Sequence, residues 1–217
     1  MLPPEIIEFD DASIDNIADA LKQRGYIILP KALSADLLDD LQCRGKNLPK
    51  EQWHRAGVGR HKNYQQNEEI RADKICWISA DNSTESAFFL AMETLRLGLN
   101  RRLYLGLFDF ECHFSSYAKG AYYRKHLDAL KGQSNRVLSL ILYLNTQWQA
   151  TDGGALLLYP QQGGEPIQKI MPELGTLVLF LSETFPHEVL ESQRQRLSLT
   201  GWFRINNSKE DRIDPPN

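Results

Sequence analysis

Near residue 105 the hydrophobic period of this 217-residue chain changes from about 3.6 residues to about 2, which makes the first half mainly helical and the second mainly strand. Upstream, "SIDNIADALKQRGY" places Ile14, Ile17, Ala18 and Leu21 on one helical face, with Ser13 as the expected N-cap and Gly25 as the stop. "SADLLDDLQCRGKN" repeats the scheme with Ser34 as cap and Leu37, Leu38 and Leu41 as the buried stripe. "STESAFFLAMETLRLGLNRRLY" reads as the longest helix, offering Phe88, Phe89, Met92 and Leu95 to a core. "YIILP" and "KICWIS" interrupt these helices as short strands. Downstream, "FDFECHFS" alternates Phe108, Phe110, Cys112 and Phe114 against Asp109, Glu111 and His113, the pattern of a half-buried strand. On that pattern His113 is an ordinary surface histidine. "RVLSLILYLN", "ALLLYP", "TLVLFLS" and "RLSLTGWFR" are further strand-like runs separated by glycine and polar turns. The fold class is therefore α+β, mainly β: a sandwich or small barrel supported on one side by N-terminal helices.

The length suits one domain, residues 1–217, with mainly helical support over 1–105, a β core over 106–205 and a flexible polar tail over 206–217. Residues 50–70 carry no period and hold Gly57 and Gly59 among basic residues, the composition of a mobile loop. A formal charge of -3 gives no global attraction to nucleic acid or to an anionic membrane. No apolar run is long enough to span a bilayer and the acidic N-terminus does not read as a secretion signal, so a soluble cytoplasmic protein is expected. Cys43, Cys76 and Cys112 are odd in number and lack C-x-x-C spacing, which predicts buried free thiols.

The chemistry gathers around "YYRKHLDAL". If this stretch is extended, His126 and Asp128 share a face and Leu127 points away. An isolated H-x-D is commonly no more than a solvated edge, but "FPHEV" supplies His187 beyond a strong strand. Two imidazoles and one carboxylate form the facial set that suits non-heme Fe(II) and leaves three positions open. A closed structural zinc site would ask for a fourth ligand, commonly Cys, and none is near in sequence. Arg196, nine positions past His187, shares a strand face with Ser198 and Thr200. An inward-facing guanidinium requires an anionic partner. A dicarboxylate such as 2-oxoglutarate fits, with one end on the metal and the distal carboxylate on Arg196. Arg194 has the same parity and is the local competitor.

In order and spacing, "YYRKHLD", "LILYLNTQW", "GGALLLYP", "FPHEV" and "RLSLTGWF" resemble the Fe(II)/2-oxoglutarate dioxygenases, and within them the prolyl hydroxylases related to the hypoxia-inducible-factor hydroxylases. "IRADKICWI" resembles a segment particular to that subgroup. The resemblance implies a double-stranded β-helix, a jelly-roll of cupin-like form. It implies His126, Asp128 and His187 as iron ligands, Arg196 and Tyr143 on the distal carboxylate of 2-oxoglutarate, and Tyr117 near its metal-bound end. It also implies O2 as cosubstrate, ascorbate as a reductant, succinate and CO2 as products, and hydroxylation of a prolyl residue in a protein by a monomeric enzyme. Elongation factor Tu is the leading substrate by resemblance to bacterial members. Arg124, Arg55, Arg60 and Trp202 are the substrate-side candidates, with Leu156 as a further wall of the pocket, and residues 50–70 close over a bound peptide. Oxidation of a small molecule or free amino acid, and a cupin-like metal sensor without catalysis, remain the alternatives.

Overall fold

A computed structural model describes residues 8–57, 71–130, 132 and 134–208. In chain order the elements are α1 (Asp11–Arg24), β1 (Tyr26–Leu29), α2 (Ala35–Lys46), β2 (His54–Arg55), β3 (Lys74–Trp77), α3 (Ser83–Leu103), β4 (Leu107–Tyr117), β5 (Tyr123–His126), β6 (Arg136–Tyr143), β7 (Leu156–Leu158), β8 (Gln168–Ile170), β9 (Leu177–Leu181), β10 (His187–Val189) and β11 (Arg196–Ile205). Helix α1 begins three residues earlier than the Ser13 cap predicts. The Asp10 carboxylate accepts from the Ser13 amide at 2.8 Å and is the N-cap, so Ser13 lies in the first turn. Gly25 ends the helix as expected, at φ 79°, where a Cβ would also strike the Phe185 ring. Ser34 caps α2 as read from sequence.

The strands form a seven-stranded sheet in the order β1-β9-β6-β11-β4-β3-β2 and a four-stranded sheet in the order β5-β10-β7-β8. Every pairing is antiparallel. This is the jelly-roll arrangement that the sequence leads one to expect, with the helices on the outer face of the larger sheet. Leu138, Leu140 and Leu142 of β6 and Leu177 and Leu179 of β9 pack into the core shared with Ile17, Leu41, Phe88 and Leu95 of the helices. The alternate residues Ile141, Tyr143, Val178 and Phe180 face a second apolar cluster with Leu156, Leu158 and Val189 of the smaller sheet. Because both faces of the larger sheet are covered, β6 and β9 are apolar at every position except Arg136 and Ser139.

That double coverage corrects the reading of β4. Its supposedly polar face is buried too: His113 is 1% exposed, and Asp109 is buried against Arg204. Cys76 and Cys112 are buried free thiols, but Cys43 is exposed on α2. No helix among the described residues is long and apolar enough to cross a membrane. Most of the loop expected over 50–70, including Arg60, and the end of the tail lie outside the described residues.

Candidate metal centre

The smaller sheet brings the two imidazoles together through register. In the β5–β10 pairing His126 stands directly opposite His187, and their ring centroids are 4.2 Å apart. Each Nδ1 lies against a backbone carbonyl, His126 with Arg124 O at 2.7 Å and His187 with Phe185 O at 3.1 Å. A carbonyl only accepts, so Nδ1 carries the hydrogen in both rings and the Nε2 lone pairs are free. Asp128 lies past the end of β5 in a bend, not within the strand as supposed. It still meets both rings: Oδ1 is 3.6 Å from His126 Nε2 and Oδ2 is 3.7 Å from His187 Nε2. These separations are too long for hydrogen bonds but suit donors arranged around a common centre. Among the described residues His126, Asp128 and His187 are the group whose donor atoms, all within 4.8 Å of one another, could hold a metal ion.

Electrostatics favour the ligating forms. Burial raises the Asp128 carboxyl, but His187, His126 and the Ser139 hydroxyl outweigh it and hold the group well below the usual carboxylate range. Burial, then the neighbouring His126, draws His187 down to about 4, which keeps its imidazole neutral near pH 7.

The same cavity, about 400 Å3 including its open mouth, reaches Arg196 at the start of β11. Arg196 is 1% exposed, and its hydrogen-bond partners among the described residues are neutral: Nε donates to Gly154 O at 3.0 Å and Nη1 to Ser198 Oγ at 3.4 Å. Its guanidinium carbon sits 4.9 Å from the ring centres of both Tyr117 and Tyr143. The Tyr143 hydroxyl is buried and makes no hydrogen bond among the described residues. Arg194, the competitor, is paired instead with Asp152 at 3.0 Å and lies over Trp148. A buried cation without a carboxylate, beside a hydroxyl without a partner, is the chemistry of an anion site.

Residues 112–204 match the model of the 2OG-Fe(II) oxygenase superfamily. A Pseudomonas putida prolyl-4-hydroxylase of known structure is 40% identical, with a TM-score of 0.79 over 88% of this chain and 98% of that one. The chain belongs to the 2OG-Fe(II) oxygenase superfamily. A Trichoplax adhaerens prolyl hydroxylase, solved with a peptide of the hypoxia-inducible-factor oxygen degradation domain, superposes with the same TM-score at 26% identity, over 89% of this chain and 90% of that one. Human prolyl hydroxylase EGLN3 is 30% identical over 69% of this chain. The hypoxia-inducible-factor prolyl hydroxylase of Caenorhabditis elegans is 38% identical over 43% of it. These alignments span 62% and 13% of the two curated relatives.

The donor set fits the two groups in the superfamily's name. Two imidazoles and a carboxylate suit Fe(II), and the Tyr143 hydroxyl beside Arg196, which has no carboxylate partner among the described residues, suits the far carboxylate of 2-oxoglutarate. Gly154 supports Arg196 directly, because a Cβ there would stand 3.2 Å from the Arg196 Cδ.

Of the substrate-side candidates, Trp202 and Leu156 line the cavity, whereas Arg124 and Arg55 do not. Arg124 is exposed near the Tyr122 ring, and Arg55 is exposed on the edge strand β2 opposite Lys74. Sequence reasoning missed Arg71, which lines the cavity, is held by Asp73 at 2.6 and 3.0 Å, and lies 4.6 Å from the ring centre of Tyr123. Tyr123 in turn stacks on His126 at 3.6 Å. The signal was the R-x-D of "IRADK", whose two charges would share a face if the segment is extended.

His113 packs edge-on to Trp77 at 5.0 Å and lies 5.5 Å from Trp202, behind the cavity wall. Burial, then the charge of Arg71, lowers its imidazole to about 3 from 6.5. Between those values the unfolded chain binds more protons than the folded one, so stability is lost as pH falls from 6.5 toward 3, by at most about 1.4 kcal/mol per pH unit. A His113→Leu variant should show a shallower acid limb than the wild type in urea unfolding between these pH values. Parallel limbs would mean that His113 is not the group responsible.

Proposed function

We propose that the protein is an Fe(II)- and 2-oxoglutarate-dependent dioxygenase that hydroxylates a prolyl residue of a protein substrate. What carries this reading is Arg196, buried beside the Tyr143 hydroxyl, the one without a carboxylate and the other without a hydrogen bond among the described residues, in the cavity that also contains His126, Asp128 and His187. When bound, iron and 2-oxoglutarate supply the oxidation of an unactivated C–H bond by O2, with succinate and CO2 as co-products. The chain's part is to hold, orient and enclose. His126, Asp128 and His187 would ligate the metal on one face. Arg196 and Tyr143 would take the distal carboxylate, and Tyr117, buried in the same wall, would border the metal-bound end. Ile141, Leu156 and Val189 present apolar surface to the cavity and exclude water from the reacting atoms.

A protein substrate is favoured by the relatives. The Trichoplax adhaerens enzyme was solved with a peptide, and it matches this chain over nearly its full length. Trp202 adds an aromatic wall to the cavity, and its buried Nε1–H makes no hydrogen bond among the described residues. Elongation factor Tu is the first protein to test.

Incubation with Fe(II), 2-oxoglutarate, ascorbate and proline-containing segments of that protein should add one oxygen atom to a proline, read by mass spectrometry. His126→Ala should abolish both this product and succinate. Oxidation of free proline or another small molecule, but of no peptide, would replace the protein-substrate reading. Metal binding with no substrate-dependent succinate formation would indicate a sensor, and succinate formation unaffected by His126→Ala would remove the enzyme reading.

A further inference from the structure

We infer that Ser182 and Ser139 form a hydroxyl relay that positions the Asp128 carboxylate between the two imidazoles. This rests on the metal-site reading above and concerns a problem the fold leaves open. The two histidines are located by strand register, but β5 ends at His126. Asp128 stands two residues farther on, in a bend, and its backbone makes no hydrogen bond among the described residues. The sheet therefore does not fix its carboxylate.

Ser139 does. It sits in the middle of β6, paired in register with Trp202 on one side and Phe180 on the other, and is 0% exposed. It is on the same strand face as Ile141 and Tyr143, toward the smaller sheet. Its hydroxyl donates across the barrel to Asp128 Oδ2 at 2.6 Å and lies 2.9 Å from the hydroxyl of Ser182. The direction of the second bond follows from the first. A carboxylate has no hydrogen to give, so the one hydrogen of Ser139 is committed to Oδ2 and the Ser182 hydroxyl must donate to Ser139. Ser182 is itself anchored just past β9, where its amide donates to Val137 O at 3.0 Å, and it too is fully buried. Two hydroxyls buried among apolar strands thus end on one oxygen of one metal-facing carboxylate.

The oxygen that accepts from Ser139 keeps a second lone pair, so the bond does not withdraw Oδ2 from the site; it fixes how the carboxylate is turned toward the two imidazoles. Released, the carboxylate could swing away from the two Nε2 atoms, and a metal ion would then have to bind a donor that is no longer held in place. Ser139 and Ser182 are therefore positioning residues. They need not touch the metal, the cosubstrate or the substrate.

The test is Mn(II) binding to the whole protein, followed by the loss of the free-ion electron paramagnetic resonance signal, with apoprotein melting as the check on folding. Ser139→Ala should weaken Mn(II) by about 10–100-fold, the usual cost of losing a hydrogen bond to a ligand. Ser182→Ala should weaken it less, and the double variant should bind no worse than Ser139→Ala, because Ser182 acts only through Ser139. Should Ser139→Ala not fold, Ser139→Cys, a weak donor of similar volume, takes its place. Affinity within twofold of wild type for the Ser139 variant, or losses that add in the double variant, would overturn the relay. Asp128→Ala separates the two levels. If it leaves Mn(II) binding intact, the metal-site reading itself fails; if it abolishes binding while Ser139→Ala does not, only the relay fails.

Discussion

Replacing Asp128 by alanine is expected to remove metal binding and succinate formation together while leaving the fold in place. The carboxylate is the one anionic donor of the trio, and without it two neutral imidazoles face a divalent ion alone. A lost hydrogen bond to a ligand typically costs about 10–100-fold in affinity, so loss of the ligand itself should exceed about 100-fold. The fold should tolerate the change. Asp128 lies outside the strand ladder, and when it is gone the Ser139 hydroxyl keeps Ser182 as a partner, so no buried hydroxyl is orphaned. Apoprotein melting should stay within a few degrees of wild type while Mn(II) binding is lost. Unchanged Mn(II) affinity would mean that the ion, if one binds, sits elsewhere.

The parts of this site that were legible in the sequence are those in which a residue's type and its place in a period say the same thing. Arg196 in "RLSLT" has inward parity in a run whose alternate leucines pack on the helices, and the structure keeps that division: Leu197 and Leu199 join the helical core while Arg196 reaches the cavity. His187 was legible as an imidazole following a strong strand, but β10 itself was not read as a strand, because three residues are too few to show a period. β8 was missed for the same reason. His113 was misplaced because alternation predicts a solvated face only when water is there. On β4, Trp77 from β3 and Trp202 from β11 cover it instead. Ser139 gave no signal at all. A serine between leucines in "LSLIL" reads as a tolerated small polar residue until the barrel closes and places Asp128 opposite it.

Replacing Arg196 by methionine should make the apoprotein more stable and the loaded protein much weaker. In the wild type the buried guanidinium is satisfied by a carbonyl, a serine hydroxyl and two tyrosine rings, with no carboxylate among the described residues to balance its charge. Exchanging buried charge for an apolar side chain of similar volume is often worth about 1–4 kcal/mol. At roughly 2–4 °C per kcal/mol for a chain of this size, the apoprotein should melt several degrees higher. Ligand binding reverses the order. A buried guanidinium–carboxylate contact broken from one side costs about 3–5 kcal/mol, or roughly 100- to 4,000-fold in 2-oxoglutarate affinity. Saturating 2-oxoglutarate with Mn(II) should therefore raise the melting temperature of the wild type and scarcely move that of the variant, since stabilisation by a ligand grows only with the logarithm of its concentration over Kd. The two halves of the result test different things. A variant that is less stable without ligand would mean that Arg196 serves the fold, and an undiminished shift with 2-oxoglutarate would mean that the distal carboxylate binds somewhere else. Only an apoprotein gain together with a ligand-dependent loss fits a cation whose missing counter-charge arrives with the cosubstrate.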